Sequence, residues 1–430
     1  MTAAPASAGV PENSSGAPVV LIERDATGIG GHWYPAALAL TRAARRRHHP
    51  VLVIALGGID PHARTELTRA GAEVITRPPW HAATAFALLS LARLAHRVST
   101  VARRVTRHRR FPHQITLLAR CATESAALRL ACRERGAVPI LLTASEGLPG
   151  LAALLGGAHV RITHDVITTQ DKPLQALDRL TRRSAARVAV VCPTPAVRDK
   201  IAREHPGIPT LARPFALAEA ADRITEDERA TARARLGIAP EQTVLTLLGG
   251  WWPHKDIATV DAALHRLASR PFLLVAGTPM DEKILARWRD LLGPERLAVR
   301  HHALSEPQLR EAFAATDLLL VARRAKTRTE SGLVCAAARH GVPLLLSDHD
   351  ERLCHLLNGQ RWVRIFTTGD PDDLAAVTDQ AIIVPPSQPD TDAPVLLGLS
   401  TPDDTVAAYI DLHRSLPGTS ARKRTRAGAR

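Results

Sequence analysis

Residues 243–277 read TVLTLLGGWWPHKDIATVDAALHRLASRPFLLVAG. An apolar run from Thr243 to Leu248 ends at Gly249-Gly250, a helical pattern follows from Ile257 to Ala268, and FLLVAG (272–277) is a second apolar run closed by glycine. Uninterrupted Val, Leu and Ile, rather than apolar–polar alternation, belong to strands covered by helices on both faces. Strand, helix, strand in that order predicts two parallel strands joined by a crossover helix.

The rhythm extends in both directions. Downstream come LAVRH (297–301), DLLLVA (317–322), VPLLLSD (342–348) and VRIF (363–366), separated by helical segments. Upstream, VVLIE (19–23) leads through the turn Gly28-Ile-Gly-Gly31 into a helix over Pro35 to Arg46, and VLVIAL (51–56) ends at Gly57-Gly58. ITLLA (115–119) reads as a strand ahead of a helix from Thr123 to Arg135, with ILLTA (140–144), VRIT (160–163) and RVAVVC (187–192) after it. The fold class is therefore α/β, with two consecutive doubly wound parallel-sheet domains. Their joint falls near 212–222, where Arg213-Pro214 precedes an acidic segment.

Composition agrees with that reading. The chain has 430 residues, 45% hydrophobic and 23% charged, which at roughly 150 residues per domain is enough for two cores. No uncharged apolar stretch reaches the roughly 18 residues of a membrane span. The first residues lack the basic start and apolar run of a secretory signal. Five scattered cysteines without a CxxC pair predict neither structural zinc nor a disulfide framework, and suit a reducing cytoplasm. A net charge of +14 favours anionic partners: nucleic acid, a membrane surface or a phosphorylated ligand. With aromatics at only 3% there is little material for stacking bases, so no nucleic-acid partner is expected.

Parallel sheets bind ligands beyond the carboxyl ends of their strands, where the glycine turns lie. At the first turn, Gly28 to His32, glycines permit close backbone approach and a helix N-terminus favours an anion. It has neither the Gly-Lys-Ser/Thr ending of a Walker loop nor an acidic residue about 20 positions on. At the second, Lys255 follows Gly249-Gly250, either as a mobile point charge for a phosphate or as a solvated lysine at a helix start. A cation opposes the helix dipole there, so a compensating anion is expected. At the third, Thr329-Glu330-Ser331-Gly332-Leu333 opens a helix whose N–H groups can cradle an anion. Glu330 either accepts from sugar hydroxyls or caps the helix. Arg323, Arg324, Lys326 and Arg328 just upstream bind phosphate or form a solvated basic loop. His164-Asp165 follows VRIT, and no HExxH or other metal spacing occurs, so no bound metal is predicted.

Taken in this order, the segments resemble the retaining GT-B glycosyltransferases of glycosyltransferase family 4. Gly30-Gly31 occupy the family's N-terminal glycine turn, and Thr163-His164-Asp165 its Thr-His-Asp strand end. ARLGIAPEQTVLTLLGGWWPHKD is similar to the family's Arg-Leu-Gly and Arg-x4-Lys-Gly segment, and TESGLVCAAARHGVPLLLSD to its Glu-x7-Glu region. The likeness spans about 19–380 and is most specific from Ala234 to Ser347. Three departures stand out: Gly250 replaces the phosphate-binding arginine, Asp256 replaces the glycine after the lysine, and Ala336, Ala337 and Ala338 stand where the second glutamate belongs.

The resemblance implies GT-B architecture: a lead (1–17), an acceptor domain (18–215), a donor domain (216–395), a helix crossing back to the first domain (396–417) and a basic tail (418–430). It implies a metal-independent enzyme using a UDP- or GDP-sugar as co-substrate, without cofactor, and transferring the sugar with retention; the missing membrane anchor favours a small polar acceptor, and the cysteine usage a cytoplasmic location. His164, Lys255 and Glu330 would be catalytic. Gly249, Gly250, Lys255, Arg324, Glu330, Ser331, Gly332 and Leu333 would bind donor, and Gly30, Gly31, His32 and Asp165 would face acceptor. Two other readings stay open. The alanines at 336–338 fit a non-catalytic nucleotide-binding or partner protein, and the basic stretch LARLAHRVSTVARRVTRHRRFPH (91–113) fits a peripheral membrane transferase with a lipid acceptor.

Overall fold

In the computed structural model, the residues described are 16–24, 26–28, 33–78, 82–105, 110–164, 166, 171–215, 217, 223–325, 327 and 332–419. The readings that fall on 1–15 and 420–430 lie outside them. The first sheet comprises β1 (Val19–Ile22), β2 (Val51–Ile54), β3 (Ala72–Ile75), β4 (Val138–Leu141), β5 (His159–Ile162), β6 (Val188–Cys192) and β7 (Thr210–Ala212). Its order is β3-β2-β1-β4-β5-β6-β7, parallel throughout. It is served by α1 (Trp33–Arg46), α2 (Pro61–Arg69), α3 (Ala83–Val105), α4 (Arg110–Ala131), α5 (Pro149–Gly156), α6 (Lys172–Ala185) and α7 (Pro195–Glu204).

After α8 (Glu226–Leu236), the second sheet comprises β8 (Val244–Leu248), β9 (Phe272–Ala276), β10 (Leu297–Arg300), β11 (Leu318–Val321), β12 (Leu344–Ser347) and β13 (Val363–Phe366). Its order is β10-β9-β8-β11-β12-β13, again parallel. Its helices are α9 (Ile257–Leu264), α10 (Glu282–Leu292), α11 (Glu306–Ala315), α12 (Gly332–His340), α13 (Glu351–Leu357) and α14 (Pro371–Ile383), followed by α15 (Ala393–Leu396) and α16 (Pro402–Arg414). These are two Rossmann-like α/β domains.

The two-sided burial expected from the apolar runs is visible residue by residue. Val19 and Leu21 of β1 pack with α1, while Val20 and Ile22 face α3 and α4. In β8, Leu245 and Leu247 meet α9 and α10, whereas Val244 and Leu248 join the cluster containing α11 and α12. Each fully buried Leu or Val contributes about 1.5–3 kcal/mol, so these runs hold both helix layers to the sheet. Val406, Tyr409 and Ile410 of α16 lie in the core cluster of the first sheet, and Arg46 pairs with Asp403 at 2.5 Å.

One expected strand is a helix. Residues 115–119 lie inside α4, which pairs with α3 through Ser99 Oγ and Thr116 Oγ1, 2.7 Å apart. The place beside β1 belongs to β4, the run that begins at Val138. A five-residue apolar run has no period long enough to distinguish strand from helix. The hydroxyls of Thr123 and Ser125 turn back onto the carbonyls of Ala119 and Cys121, as they do inside helices. Among the described residues no helix is long and apolar enough to cross a membrane.

Candidate functional site: a cationic cluster at the carboxyl edge of the second sheet

The site is built where β8, β11 and β12 end side by side. Beyond Leu248 the chain turns at Gly249, whose φ of +79° is a conformation glycine adopts freely. Gly249 N–H donates to the Ala276 carbonyl at 2.7 Å, and Trp251 N–H to the Pro279 carbonyl at 2.6 Å. The loops after β8 and β9 are thus stitched together. A Cβ on Gly250 would stand 2.0 Å from the Thr278 carbonyl oxygen, so the position that carries arginine in the resembled family has no room for any side chain here. Trp251 packs against Trp288 with ring centroids 5.2 Å apart and planes inclined by 56°, and Trp252 is 53% exposed in the same turn.

Lys255 sits just before α9. Asp256 caps that helix, accepting from Thr259 N–H at 3.3 Å and Thr259 Oγ1 at 2.7 Å. This explains an aspartate where the family has glycine. Residues 254–256 run against the strand end of β11. Asp256 N–H donates to the Ala322 carbonyl at 3.2 Å and Arg324 N–H to the His254 carbonyl at 3.0 Å. Lys255 is thereby placed beside Arg323, and its Nζ donates to the carbonyls of Leu248 and Gly249. Carbonyls carry no charge to offset the ammonium. Burial foremost, and then the Arg323 guanidinium, bring the Lys255 pKa down to about 8.

Arg323 is itself 8% exposed, and its N–H donates to Ser347 Oγ at 2.9 Å. Ser347 Oγ also lies 2.9 Å from Nδ1 of buried His349, at the end of β12. Burial lowers the pKa of His349 and of His254, and Arg323 adds to both effects. Positive charge is thus concentrated at this edge of the sheet, and burial disfavours the charged form of each titrating member.

The expected site residues divide into three groups. Gly249, Gly250, Lys255 and the exposed Arg324 share the cluster, and Gly332 and Leu333 open α12, the helix that follows β11. His164 stands on the other sheet, at the end of β5, edge-to-face with Phe215 at 4.9 Å. Gly30, Gly31, His32, Asp165, Glu330 and Ser331 lie outside the described residues. Ala337 and Ala338 are buried in the apolar core of the second sheet, so the missing second glutamate leaves a packed wall rather than a polar gap. Ser347 and His349 escaped the sequence reading; the only signal was the polar SDHD ending of an apolar run. Among the described residues no group of three His, Cys, Asp or Glu side chains is placed to hold a metal ion.

No family model matches the chain, and no curated protein resembles it in sequence. Solved structures do match. A glycosyltransferase from Rickettsia africae ESF-5 superposes with a TM-score of 0.61 at 11% identity, covering 93% of this chain and 99% of its own. The fold is GT-B. An α,α-trehalose-phosphate synthase (UDP-forming) from Burkholderia xenovorans, solved with glucose-6-phosphate, gives 0.59 at 13% identity, covering 92% and 100%. HepE from Anabaena, solved with UDP-glucose, gives 0.54 at 16%, covering 93% and 98%. At these identities the likeness establishes architecture, and the chemistry has to be argued from the residues.

Proposed function

We propose that the protein is a glycosyltransferase that moves a sugar from a nucleotide diphosphate, UDP- or GDP-linked, to a small polar acceptor. The observation that carries this reading is the pairing of Lys255 with Arg323 at the carboxyl edge of a parallel sheet, where such folds bind ligands. A diphosphate offers the charge that relieves the Lys255 ammonium, held on carbonyls alone beside a second cation. The GT-B fold, shared with a neighbour solved with UDP-glucose, supports the choice of donor.

In this reading the bond between the anomeric carbon and the phosphate oxygen breaks, and its electron pair leaves with the diphosphate. Lys255, Arg323, Arg324 and the first N–H groups of α12, at Gly332 and Leu333, stabilise the charge that builds there. One preorganised donor of this kind contributes about 2.7–4 kcal/mol in oxyanion sites. Protein cations do this work, so the reading requires no metal. The acceptor hydroxyl attacks from the side the diphosphate leaves, giving retention, and its proton passes to the departing phosphate oxygen. No enzyme nucleophile is then needed. Glu330 and Ser331 belong to the donor side. His164, with Asp165 and the turn at Gly30, Gly31 and His32, belongs to the acceptor side, brought to the sugar when the domains close and exclude water. A cytoplasmic enzyme of secondary-metabolite or glycoconjugate assembly fits this set.

The test is calorimetric titration with UDP, GDP, ADP and dTDP, followed by transfer assays with sugars on the nucleotide that binds. One nucleotide is expected to bind, raising stability by about 2.7 kcal/mol at a hundredfold excess over Kd. Lys255→Met should weaken it at least about tenfold. Absence of binding by all four, or an unaltered Lys255→Met protein, refutes the assignment. The buried alanines at 337 and 338 favour one second reading, a nucleotide-binding protein without turnover. Tight nucleotide binding with no transfer or hydrolysis of any donor would select it.

A further inference from the structure

A cavity of about 550 Å³ opens at the carboxyl edge of the first sheet, beyond β2 and β3. Its floor is the turn Leu56-Gly57-Gly58, in which Gly58 takes a φ of +111° that strains any other residue. The Ala26↔Ile59 bridge, with Asp60 N–H donating to the Ala26 carbonyl at 2.7 Å, ties this turn to the loop after β1. Three arginines line the walls: Arg64 from α2, Arg77 from the end of β3 and Arg93 from α3, with Thr65 and Thr76 between them.

Among the described residues no acidic side chain lines the cavity. The nearby carboxylates are engaged elsewhere: Asp60 Oδ1 accepts from His62 and Ala63 N–H at 2.8 and 3.1 Å, and Glu66 pairs with Arg69. None of the three arginines pairs with a carboxylate among the described residues. Three like charges around one concavity repel one another unless an anion enters, and a guanidinium fork matches a phosphate geometrically. The volume suits a sugar-sized group.

We propose that this cavity is an acceptor subsite for a phosphate, as monoester or diester, held by Arg64, Arg77 and Arg93. The proposal rests on the glycosyltransferase reading and names the acceptor class it left open: polar because phosphorylated. Two sources share that chemistry. One is a free sugar phosphate. The other is a lipid headgroup, for which α3 is suited: it has no acidic residue, and it exposes Phe86, Leu91, Leu94 and Val98 on the helix that carries Arg93.

The experiment uses the full chain and the Arg64→Gln/Arg77→Gln/Arg93→Gln triple variant, whose exposed positions leave the fold intact. Glucose 6-phosphate and glucose are titrated calorimetrically at low salt, vesicles with and without phosphatidylglycerol are tested by cosedimentation, and UDP, GDP, ADP and dTDP are titrated into the same protein. Glucose 6-phosphate is expected to bind at least about tenfold tighter than glucose, to lose at least about tenfold in the triple variant, and to weaken with salt. Arginine-dependent binding to phosphatidylglycerol vesicles alone would assign the phosphate to a lipid. Failure of both anions to bind, or binding undiminished in the variant, overturns the subsite. Nucleotide binding separates the two claims: if one of the four still binds while anion binding fails, only the subsite falls, and if none of the four binds, the donor reading falls instead.

Discussion

In the proposed reading Lys255 serves a ligand and harms the free protein, and the two effects can be measured apart. Its pKa is held near 8 against an ordinary value of 10.5 because burial and Arg323 oppose the charged form. A base with a depressed folded-state pKa binds fewer protons folded than unfolded between those two values. Stability of the ligand-free protein therefore rises with pH from about 8 to 10.5, and the ammonium is a full liability below 8. At 1.36 kcal/mol per pH unit the liability is on the order of 3 kcal/mol, an upper figure because the carbonyls of Leu248 and Gly249 recover part of it. Lys255→Met should accordingly raise the melting temperature at pH 7 and remove that alkaline rise. Donor binding moves the opposite way. A nucleotide-sugar diphosphate keeps fixed charge from pH 7 to 9, but the free lysine falls from about nine-tenths to about one-tenth protonated, so affinity should drop about tenfold, or about 1.4 kcal/mol. The complex should take up close to one proton at pH 9, read from binding heats in buffers of different ionisation enthalpy. Lys255→Met should bind more weakly and lack the lysine's share of this pH dependence, leaving only that of the nucleotide base, which is subtracted from the wild-type profile. Arg323→Met should push the affinity midpoint above pH 8, because its charge is one cause of the depression. Wild-type affinity that is flat from pH 7 to 9, or a Lys255→Met protein less stable than wild type at pH 7, would refute the reasoning.

Two further expectations concern the frame around the sites. Gly250→Ala should cost about 1–3 kcal/mol and lower the melting temperature by several degrees, since its Cβ meets the Thr278 carbonyl oxygen, and Gly250→Arg should weaken rather than restore donor binding; a thermally neutral Gly250→Ala would show that the loop yields freely. His159 is fully buried, with Nδ1 2.9 Å from the Gly157 carbonyl and a pKa pushed down to about 3, chiefly by burial. The unfolded chain binds that proton near 6.5, so stability should fall by about 2 kcal/mol from this residue as pH drops to 5, and His159→Asn should flatten that part of a urea-unfolding profile. An unchanged acid slope would exclude His159 as its source.

What could be read from the chain beforehand follows from how far each interaction reaches along it. The runs at 19–23, 51–56, 244–248 and 318–321 announce buried parallel strands because each residue reports its own burial, on alternate faces. ITLLA failed for a matching reason: inside α4 the same residues are apolar on a helical period that five positions cannot display. Lys255 was legible because its partners, the carbonyls of Leu248 and Gly249, lie within seven residues of it. Arg323, Ser347 and His349 were not, at least as one site. They converge only because the sheet order seats β11 between β8 and β12, a fact of topology that no local pattern encodes. The same logic bears on position 250, where the resembled family carries an arginine. A charge at position 250 would have to displace the loop after β9, whereas Arg323 reaches the neighbourhood of Lys255 from the adjoining strand without disturbing either loop. A motif search at fixed spacing sees a missing residue. The sheet sees positive charge delivered to the same edge from another strand, and charge at that edge, whatever strand it comes from, is what the proposed phosphate-binding role would require.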